Sequence, residues 1–482
     1  MKKGMQFLLK HNSGALFYDP GLGKTSTTLG ALKVLKKKKM TNKVLIIAPL
    51  RVCYSVWPRE IKKWTDFKGF TYEILHGPKK DAALKRDADI YLINPEGLEW
   101  LLQATKTKVT SAKTGKTKVK LDINIKKFKA LGFDILVIDE LTKFKHHGSA
   151  RFKLLSEVAH TFRVKWGLTG SPAANGLIGL FGQCKILDGG RSLGKFITQY
   201  RSKYFETVDH GGFVWMPKAG AEEQIYERIS PLALRAAAED YLEMPKLIIN
   251  KIKLEMPPSA RSVYDRMEGD LFAAINSKTI TAANAAVASG KCRQIASGGI
   301  YLDPELCEMG FKPSKASREW AHIHDCKVDA LEDLVEELQG SPLLVAYDFN
   351  HDLERIRARF GKDVPYIGTG VSAKKCEAIE DAWNKGELPL LFGHPQSMGH
   401  GLNLQASCNH VAMFTMPWDF ELYDQFIRRV LRSGNEFDRV FLHLLMMEDS
   451  IDELVYYSLV RKDKTQQSFF KALLELAKRR KK

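Results

Sequence analysis

Short runs of apolar, β-branched residues alternate with helical stretches along most of the chain. This alternation is typical of parallel α/β sheets, in which helices connect neighbouring strands. In the first half, the runs predict strands at residues 14–18, 44–48, 90–94, 135–138 and 165–168. In the second half, they predict strands at residues 343–347, 364–367, 388–392, 411–414 and 440–445. The chain is therefore expected to form two separate α/β sheets.

The region between about residues 181 and 326 breaks this alternation. It consists of helical segments, including the alanine-rich residues 281–289, with no comparable series of strands. We therefore expect one domain over residues 1–250, with a helical protrusion from about residue 181. The second domain is expected over residues 251–482, with a helical insertion at about 258–326.

A lysine- and threonine-rich segment spans residues 105–129. Its Thr114-Gly115 pair is a turn signal between alternating residues, so the segment is predicted to be an exposed hairpin or a flexible loop. A contact with nucleic acid, a contact with another protein and a solvated surface loop all fit this pattern.

Composition and charge narrow the class of protein. The 482 residues leave room for about two to four domains. The 74 Lys plus Arg against 56 Asp plus Glu give a net charge of +18, which favours a polyanionic partner such as nucleic acid, although a solvated basic surface also fits. The seven scattered cysteines include no C-x-x-C pair, so they indicate reduced thiols in a cytosolic setting. No secretory signal or membrane-spanning run is visible.

The first chemical signal is the sequence Asp19-Pro20-Gly21-Leu22-Gly23-Lys24-Thr25, between a predicted strand and a predicted helix. Glycines let backbone amides approach phosphate oxygens, a lysine reaches the β and γ phosphates, and a threonine hydroxyl can bind Mg²⁺. The strict phosphate-loop pattern requires glycine at position 18, where this chain has Tyr18. We interpret Gly21, Gly23, Lys24 and Thr25 as a nucleotide-phosphate site.

The second signal is Asp139-Glu140 at the end of the apolar run 135–138. An aspartate at this position can hold Mg²⁺, and the adjacent glutamate can polarise an attacking water, as in-line phosphoryl transfer requires. Alone, such a pair is more often a helix cap or a surface pair. It gains weight because it follows the phosphate loop at a distance that suits one sheet.

Two further signals follow. Thr169-Gly170-Ser171 ends another apolar strand, where small hydroxyl residues could link the nucleotide site to a second ligand, although the tripeptide alone is only a turn. In the segment 425–434, Arg429 and Arg432 are three residues apart and are predicted to share one helical face. That face can supply arginine fingers to a phosphate, although alone it is an exposed basic helix.

Taken in order, these signals resemble the SNF2 family within helicase superfamily 2, over nearly the whole chain. Residues 19–25 look like that family's motif I, and residues 46–64, with Trp57, look like motif Ia and its helix. Asp139-Glu140-Leu141-Thr142 occupies the place of Asp-Glu-Ala-His, so Thr142 replaces the usual histidine and puts coupling through that histidine in doubt.

The remaining blocks are in the same order as in the family. Residues 169–172 with Asn175 are similar to motif III, 343–349 to motif IV, 397–404 to motif V and 425–434 to motif VI. The His394-Pro395 pair, the Gly-His-Gly-Leu-Asn-Leu sequence of motif V and the compact length resemble bacteriophage or prophage members most.

The resemblance implies two RecA-like lobes with helical insertions, which bind ATP and Mg²⁺ in the cleft between them and move along double-stranded DNA. It implies that Lys24 and Thr25 bind phosphate and metal, that Asp139 positions Mg²⁺ and that Glu140 orients water. Arg429 and Arg432 would reach across from the second lobe, and Gln425 and Gly401 would contribute to nucleotide binding. Nucleic-acid contacts are expected at Pro49, Arg51, Lys143, Lys145, Ser171 and His394. A monomeric, cytoplasmic, nucleoid-associated motor is implied, with phage or host replication and recombination proteins as partners.

The sequence is also compatible with other functions. A strand-separating DNA or RNA helicase of superfamily 2 would differ in duplex unwinding, and a non-hydrolysing nucleic-acid-binding protein would lack ATPase activity. A P-loop kinase or transporter ATPase does not explain the motif V and VI blocks. When residues 4–9 are aligned with the family, its adenine-recognising glutamine falls on Met1, so we expect the true start to lie upstream.

Overall fold

The structure is a computed structural model that describes residues 1–110, 117–173, 176–207, 215–276, 282–303, 312, 319–398 and 401–460. The chain divides into two compact units, Met1–Leu242 and Glu243–Lys482. Each unit contains a parallel sheet with helices, so the prediction of two α/β sheets is confirmed. In the described part of the chain, no helix is long and apolar enough to span a bilayer.

The first unit is built on a seven-stranded sheet in the order β11-β1-β8-β7-β2-β4-β3. All of its neighbouring strands pair in parallel. The strands of this unit are β1 Ser13–Tyr18, β2 Lys43–Ile47, β3 Tyr72–Ile74, β4 Ile90–Ile93, β5 Thr105–Thr110, β6 Thr117–Asp122, β7 Phe133–Asp139, β8 Val164–Thr169, β9 Phe205–Thr207, β10 Trp215–Pro217 and β11 Ala233–Ala236.

The helices of the first unit cover both faces of this sheet. They are α1 Lys2–Lys10, α2 Lys24–Lys37, α3 Leu50–Tyr54, α4 Val56–Lys63, α5 Lys80–Lys85, α6 Leu98–Leu101, α7 Ile125–Ala130, α8 Ala150–Val158, α9 Leu180–Asp188, α10 Ile197–Tyr204 and α11 Ala221–Ile229. Successive residues of β7 enter different cores, since Ile135 and Val137 belong to one cluster and Leu136 and Ile138 to the other. Burial on both faces explains why the parallel strands are continuous apolar runs.

The second unit has a six-stranded sheet in the order β12-β19-β18-β15-β17-β16, again parallel throughout. Its strands are β12 Lys246–Leu254, β13 Gly299–Tyr301, β14 Trp320–His322, β15 Leu343–Ala346, β16 Tyr366–Ile367, β17 Leu390–Gly393, β18 His410–Met413 and β19 Arg439–Met447. Its helices are α12 Pro258–Asn276, α13 Ala282–Ser297, α14 Cys326–Glu337, α15 Asn350–Phe360, α16 Ala373–Asn384, α17 Pro395–Met398, α18 Phe420–Ile427 and α19 Ile451–Val460.

The region between residues 181 and 326 contains more strand than its pattern predicted. The expectation of no strand series there was wrong, because β11 and β12 each add an edge strand to a sheet. The residues of β12 are mostly half-buried or exposed, so the run lacks the apolar continuity of a central strand. The division after Leu242 places all of β12 in the second unit.

The lysine-rich segment forms a separate antiparallel pair of strands. β5 and β6 pair from Thr105 with Asp122 to Thr110 with Thr117. The Thr114-Gly115 turn lies outside the described residues. This pair is not part of the seven-stranded sheet.

Candidate functional site

The predicted motifs of the first unit lie where four adjacent strands end. The strand order places β8 between β1 and β7, with β2 next to β7. The phosphate loop follows β1, and Ser171 follows β8. Asp139 is the last residue of β7 and Glu140 comes directly after it, while Pro49 follows β2. In parallel α/β sheets, ligands bind at the carboxyl ends of the strands. The sheet therefore brings motifs from distant parts of the sequence to one edge, the edge that is formed by the carboxyl ends of its strands.

The phosphate loop joins the end of β1 to the first residue of α2. Gly21 and Gly23 have φ of 91° and 71°, a left-handed region that glycine enters at no steric cost. Gly23 caps α2, and the Nζ of Lys24 donates to the carbonyl of Tyr18 at 2.7 Å. The loop therefore ends at a helix N-terminus, where free amides and the helix dipole favour an anion.

Asp139 is a buried carboxylate at the end of β7, with 9% of its surface exposed. Its Oδ2 accepts a hydrogen bond from Nε1 of Trp57 at 3.0 Å, and its Oδ1 accepts one from the amide of Glu140 at 3.2 Å. Burial raises the pKa of Asp139, while the charge of Lys24 and both hydrogen bonds oppose that rise. A cation in contact with this carboxylate would relieve the cost of its burial.

Glu140 has the unusual backbone of a non-glycine residue in the left-handed region, with φ of 58° and ψ of 64°. This conformation costs about 1–2 kcal/mol for a residue with a Cβ. It turns the chain from β7 into a 3-10 turn over Leu141–Phe144, which contains the buried Thr142. Strain of this kind persists where the surrounding structure fixes it, often at functional sites.

Gly170 brings motif III against the phosphate loop. A Cβ at Gly170 would lie 3.3 Å from Cδ of Pro20 and 3.5 Å from the carbonyl oxygen of Tyr18. Thr169 is buried, and its Oγ1 accepts a hydrogen bond from the amide of Ser171 at 3.4 Å. The fold thus packs the Thr-Gly-Ser segment onto the loop that it follows by about 150 residues in sequence.

The other expected nucleic-acid contacts of this unit are also near this edge. Pro49 caps α3, and Arg51 is within that helix, directly after β2. Lys143 lies in the 3-10 turn that follows Glu140, and Lys145 comes just after it. Helix α9 packs closely on this turn, because a Cβ at Gly182 would lie 2.4 Å from the carbonyl oxygen of Phe144.

A groove of about 480 Å³ lies beside the phosphate loop, along α1 and α2. Its lining includes Met1, Met5, Ser26, Thr27 and Gly30. Among the residues that the structure describes, the buried Thr27 Oγ1 has no hydrogen-bond partner. The groove therefore offers thioether surface next to a candidate phosphate site.

In the second unit, Arg429 connects motif VI to motif V. Its Nε donates to the carbonyl of Gln425 and its Nη1 to the carbonyl of Leu402, both at 3.0 Å. The residue is buried, and its own carbonyl accepts from the amide of Leu404 at 3.3 Å. Arg429 therefore fixes the path of the motif V loop that contains Gly401, whose φ is 75°.

Arg432 lies beside the same loop. Its Nη1 donates to Oδ1 of Asn403 at 2.6 Å, and the amide of Asn403 donates to Glu380 at 3.1 Å. Burial lowers the pKa of Arg432 and the charge of Glu380 opposes this shift, yet an arginine remains charged. The side-chain amide of Gln425 donates to Glu421 at 3.2 Å.

The expectation that Arg429 and Arg432 share one helical face was wrong. Helix α18 ends at Ile427, and both arginines lie in the turns that follow. The amide of Arg432 bonds to the carbonyl of Val430 instead of continuing a helical ladder. The structure still brings both arginines to the motif V loop, through tertiary contacts rather than helical spacing.

His394 follows β17 and lies next to the residues that follow β15. Its Nε2 is 3.2 Å from the carbonyl oxygen of Asp348, and Oδ2 of Asp348 accepts from Arg293 of α13 at 2.5 Å. Arg293 also donates to the carbonyl of Met416 at 2.6 Å. This network connects the helical insertion to the strand ends from which motifs IV, V and VI begin.

Sequence reasoning missed the partners of the predicted residues. It named Trp57 as part of motif Ia and Asn403 as part of motif V, but not their bonds to Asp139 and Arg432. No local signal indicates such pairs, because Trp57 and Asp139 are 82 positions apart. Asn175, Gly399 and His400 lie outside the described residues.

Comparisons with known proteins agree with the order of the motifs. The SNF2-related domain family matches residues 2–301, and the helicase conserved C-terminal domain matches residues 326–434. The chain is 35% identical to protein p41 of Acyrthosiphon pisum secondary endosymbiont phage 1, over 90% of this chain and 89% of that protein.

More distant similarities also extend over nearly the whole of this chain. It is 23% identical over 94% of its length to YwqA of Bacillus subtilis, which is named as an ATP-dependent helicase/translocase, but spans only 46% of that protein. A solved structure, the Sulfolobus solfataricus SWI2/SNF2 ATPase core in complex with dsDNA, aligns with a TM-score of 0.40 and 22% identity, covering 95% of this chain and 89% of that chain. At so low a TM-score the likeness carries no functional argument.

Proposed function

The chain belongs to the SNF2-related family of nucleic-acid-dependent ATPases, and we propose that it uses Mg²⁺ and ATP to move along double-stranded DNA without separating the strands. The proposal rests on the residues that the first sheet brings together at the carboxyl ends of its strands. There Lys24 begins the helix after the phosphate loop, and the buried Asp139 and the adjacent Glu140 lie two strands away.

The residues at this edge fit a nucleotide triphosphate with its metal. Positive φ at Gly21 and Gly23 turns the loop at the N-terminus of α2, where backbone amides can bind phosphate oxygens. Lys24 would exchange its contact with the Tyr18 carbonyl for a phosphate oxygen. Asp139 and the hydroxyl of Thr25 supply the oxygen ligands that Mg²⁺ prefers. Mg²⁺ bound there would neutralise charge on the phosphates during transfer.

Glu140, Arg429 and Arg432 would have different roles in the hydrolysis of ATP. Glu140 would accept a proton from water as that water attacks. Its left-handed backbone fixes where its side chain begins. Arg432 would stabilise the charge that develops on the phosphate, and Arg429 would hold the loop that positions it.

DNA would be bound mainly through its phosphates. Pro49, Arg51, Lys143, Lys145 and Ser171 follow neighbouring strands of the first unit, and His394 follows β17 of the second. The net charge of +18 supports an electrostatic, salt-dependent and largely sequence-independent contact.

The groove beside the phosphate loop suits the nucleotide base. Met1 and Met5 offer polarisable surface to a flat ring. The replacement Gly30→Leu would fill the groove, since even a Cβ there would lie 3.2 Å from Sδ of Met5. We expect this variant to lose ATP affinity with an unchanged melting temperature. Unchanged ATP affinity would show that the base does not bind in this groove.

The deciding experiment is steady-state phosphate release with no nucleic acid, single-stranded DNA, double-stranded DNA or RNA. We expect duplex DNA to stimulate hydrolysis most, and Glu140→Gln to lower the stimulated rate about 10²- to 10⁴-fold, the usual contribution of a general base. Glu157→Gln is the matched control, because it removes the same charge from an exposed residue of α8. Displacement of a triplex-forming strand then tests movement along the duplex.

The main alternative is a strand-separating helicase of the same superfamily. Stimulation by single strands or RNA alone, with unwinding of a labelled duplex, would establish that function instead. A second alternative, a nucleic-acid-binding protein without hydrolysis, requires no phosphate release under any condition. The presence of Lys24, Asp139 and Glu140 at one strand edge favours hydrolysis.

A further inference from the structure

Trp57 is the partner of the carboxylate that is proposed to hold the metal. The indole is completely buried in α4, and its Nε1 donates to Oδ2 of Asp139 at 3.0 Å. The other oxygen of Asp139 accepts from the amide of Glu140. Each carboxylate oxygen accepts one of these bonds and retains a lone pair for a further ligand.

The indole can fix the orientation of Asp139 because it is itself fixed. The terminal torsion of an aspartate is broad, so contacts rather than rotamer preference decide where its oxygens point. Trp57 belongs to the same core cluster as Val52, Cys53 and Ile61, which keep the ring in place. A hydrogen bond to a charged group contributes about 1.5–3 kcal/mol, enough to select one orientation.

Trp57 also connects Asp139 to a segment that is expected to contact DNA. Helix α3, with Arg51, and helix α4, with Trp57, are separated by Ser55 alone. The hydroxyl of Ser55 donates to the carbonyl of Arg51 at 2.8 Å, and the amide of Arg59 donates to the carbonyl of Ser55 at 3.1 Å. Helix α3 is therefore joined through a single residue to the helix whose indole bonds Asp139.

We propose that Trp57 is a positioning residue that holds the carboxylate of Asp139 for the metal and transmits the binding of DNA at α3 to that carboxylate. In a chain that has Thr142 in place of the family's usual histidine, the indole of Trp57 supplies a further contact to Asp139. The inference rests on the proposed function, because it requires Asp139 to bind the metal.

The test compares Trp57→Phe with Trp166→Phe, both in the first unit. Trp166 is also buried, and its Nε1 donates to the carbonyl of His11 at 3.1 Å, so its replacement removes an indole bond of similar length outside the motifs. Binding of Mn²⁺ to the complex with a non-hydrolysable ATP analogue is measured by the loss of the free-ion electron paramagnetic resonance signal. We expect Trp57→Phe to weaken metal affinity about 10- to 100-fold, as loss of a ligand's hydrogen-bond partner does, and Trp166→Phe to leave it unchanged. Equal affinities in the two variants would overturn the inference.

A second variant removes the N–H and keeps a bicyclic aromatic ring of similar size. Replacement of Trp57 by 3-benzothienylalanine puts sulfur in the place of Nε1, so it tests the bond even if Trp57→Phe does not fold. Unaltered metal affinity in this variant likewise refutes the positioning role. At saturating Mg²⁺, we expect basal hydrolysis to recover while stimulation by duplex DNA stays reduced. Full recovery of both would refute the transmission of DNA binding.

Asp139→Asn separates this inference from the function on which it rests. If Asp139→Asn leaves Mn²⁺ affinity unchanged, the metal role of Asp139 fails, and the inference fails with it. If Asp139→Asn weakens Mn²⁺ binding but neither Trp57 variant does, only the positioning role is lost.

Discussion

The Oδ2 oxygen of Asp19 accepts a hydrogen bond from the amide of Ala238 at 3.1 Å, across 219 positions of the chain. The amide of Asp19 in turn donates to the carbonyl of Ala236, the last residue of β11, at 3.1 Å. A 3-10 turn over Ala238–Asp240 follows, and the first unit ends at Leu242. The first residue of the phosphate loop is therefore attached to the segment that leads into the second unit.

Loss of the bond between Asp19 and Ala238 is expected to weaken nucleotide binding. Asp19→Ala removes the acceptor for the Ala238 amide, a bond to a charged group that contributes about 1.5–3 kcal/mol. We expect a lower melting temperature and about tenfold weaker nucleotide binding, which calorimetry measures directly. Asp19→Asn keeps an oxygen acceptor and should retain most of the affinity. Equal affinity in Asp19→Ala and the unchanged protein would show that the attachment does not shape the loop.

The two arginines after α18 are expected to fail in different ways. Arg432→Ala should lower stimulated hydrolysis about 10³-fold or more, as loss of an arginine finger does, with a nearly unchanged melting temperature. Arg429→Ala should lower the melting temperature, because removal of a buried guanidinium leaves the carbonyls of Gln425 and Leu402 without their donor.

Arg428→Ala is the control for both variants. Its bond to Asp424 is a partly exposed i,i+4 pair, whose loss costs about 0.3–0.5 kcal/mol. Phosphate release and thermal melting of the three variants separate the two roles. Normal hydrolysis by Arg432→Ala would assign the finger to another residue.

A pair of histidines in the second unit predicts loss of stability in acid. Nε2 of His443 is 3.1 Å from Nδ1 of His410, and Nδ1 of His443 is 3.2 Å from the side-chain amide of Asn250. Burial, and then the charge of His410, lower the pKa of His443 to about 4 from an ordinary value of 6.5.

The sign of the effect follows from proton binding. Between about pH 4 and 6.5 the unfolded chain binds a proton that native His443 does not, so stability falls as the pH is lowered through this range, by about 1.4 kcal/mol per pH unit. Above about pH 6.5 the stabilisation is fully present. Urea unfolding at pH 7.5 and 5.0 should therefore show a smaller loss for His443→Gln than for the unchanged protein. The exposed His160→Gln is the control, and an equal loss in all three proteins would contradict the assignment.

The β5–β6 pair provides a test of DNA binding by charge. Lys106 and Lys108 lie on β5, and the register pairs them with Leu121 and Val119 of β6. If this pair binds DNA, Lys106→Gln with Lys108→Gln should weaken duplex affinity and reduce the slope of log affinity against log salt by about 0.9 for each phosphate that is no longer neutralised. The matched double replacement Lys38→Gln with Lys39→Gln removes equal charge from exposed residues at the end of α2. If the two double variants have identical slopes, the β5–β6 pair does not bind DNA and is a solvated surface or a site for another protein.

Much of the fold was determined by the sequence itself. The predicted strands of both sheets are present, because strands buried on both faces are continuous apolar runs that are visible without any partner. The place of the glycine loop after β1 and that of Asp139-Glu140 at the end of β7 were also predictable, since a loop with positive φ favours glycine and a strand end favours polar residues. The left-handed backbone of Glu140 was not predicted. The edge strand β12 was not predicted, because its residues are mostly half-buried or exposed and the strand therefore lacks that apolar signal.

Tertiary structure alone decided how the site residues are held. The bonds from Trp57 to Asp139 and from Ala238 to Asp19 join residues 82 and 219 positions apart. The helical spacing of Arg429 and Arg432 failed for a related reason, because their bonds to Leu402 and Asn403 fix them in turns after α18 has ended. Local patterns record the preference of each segment for water or for the core. Which donor meets which acceptor depends on the packing of strands and helices whose order in space differs from their order in the chain.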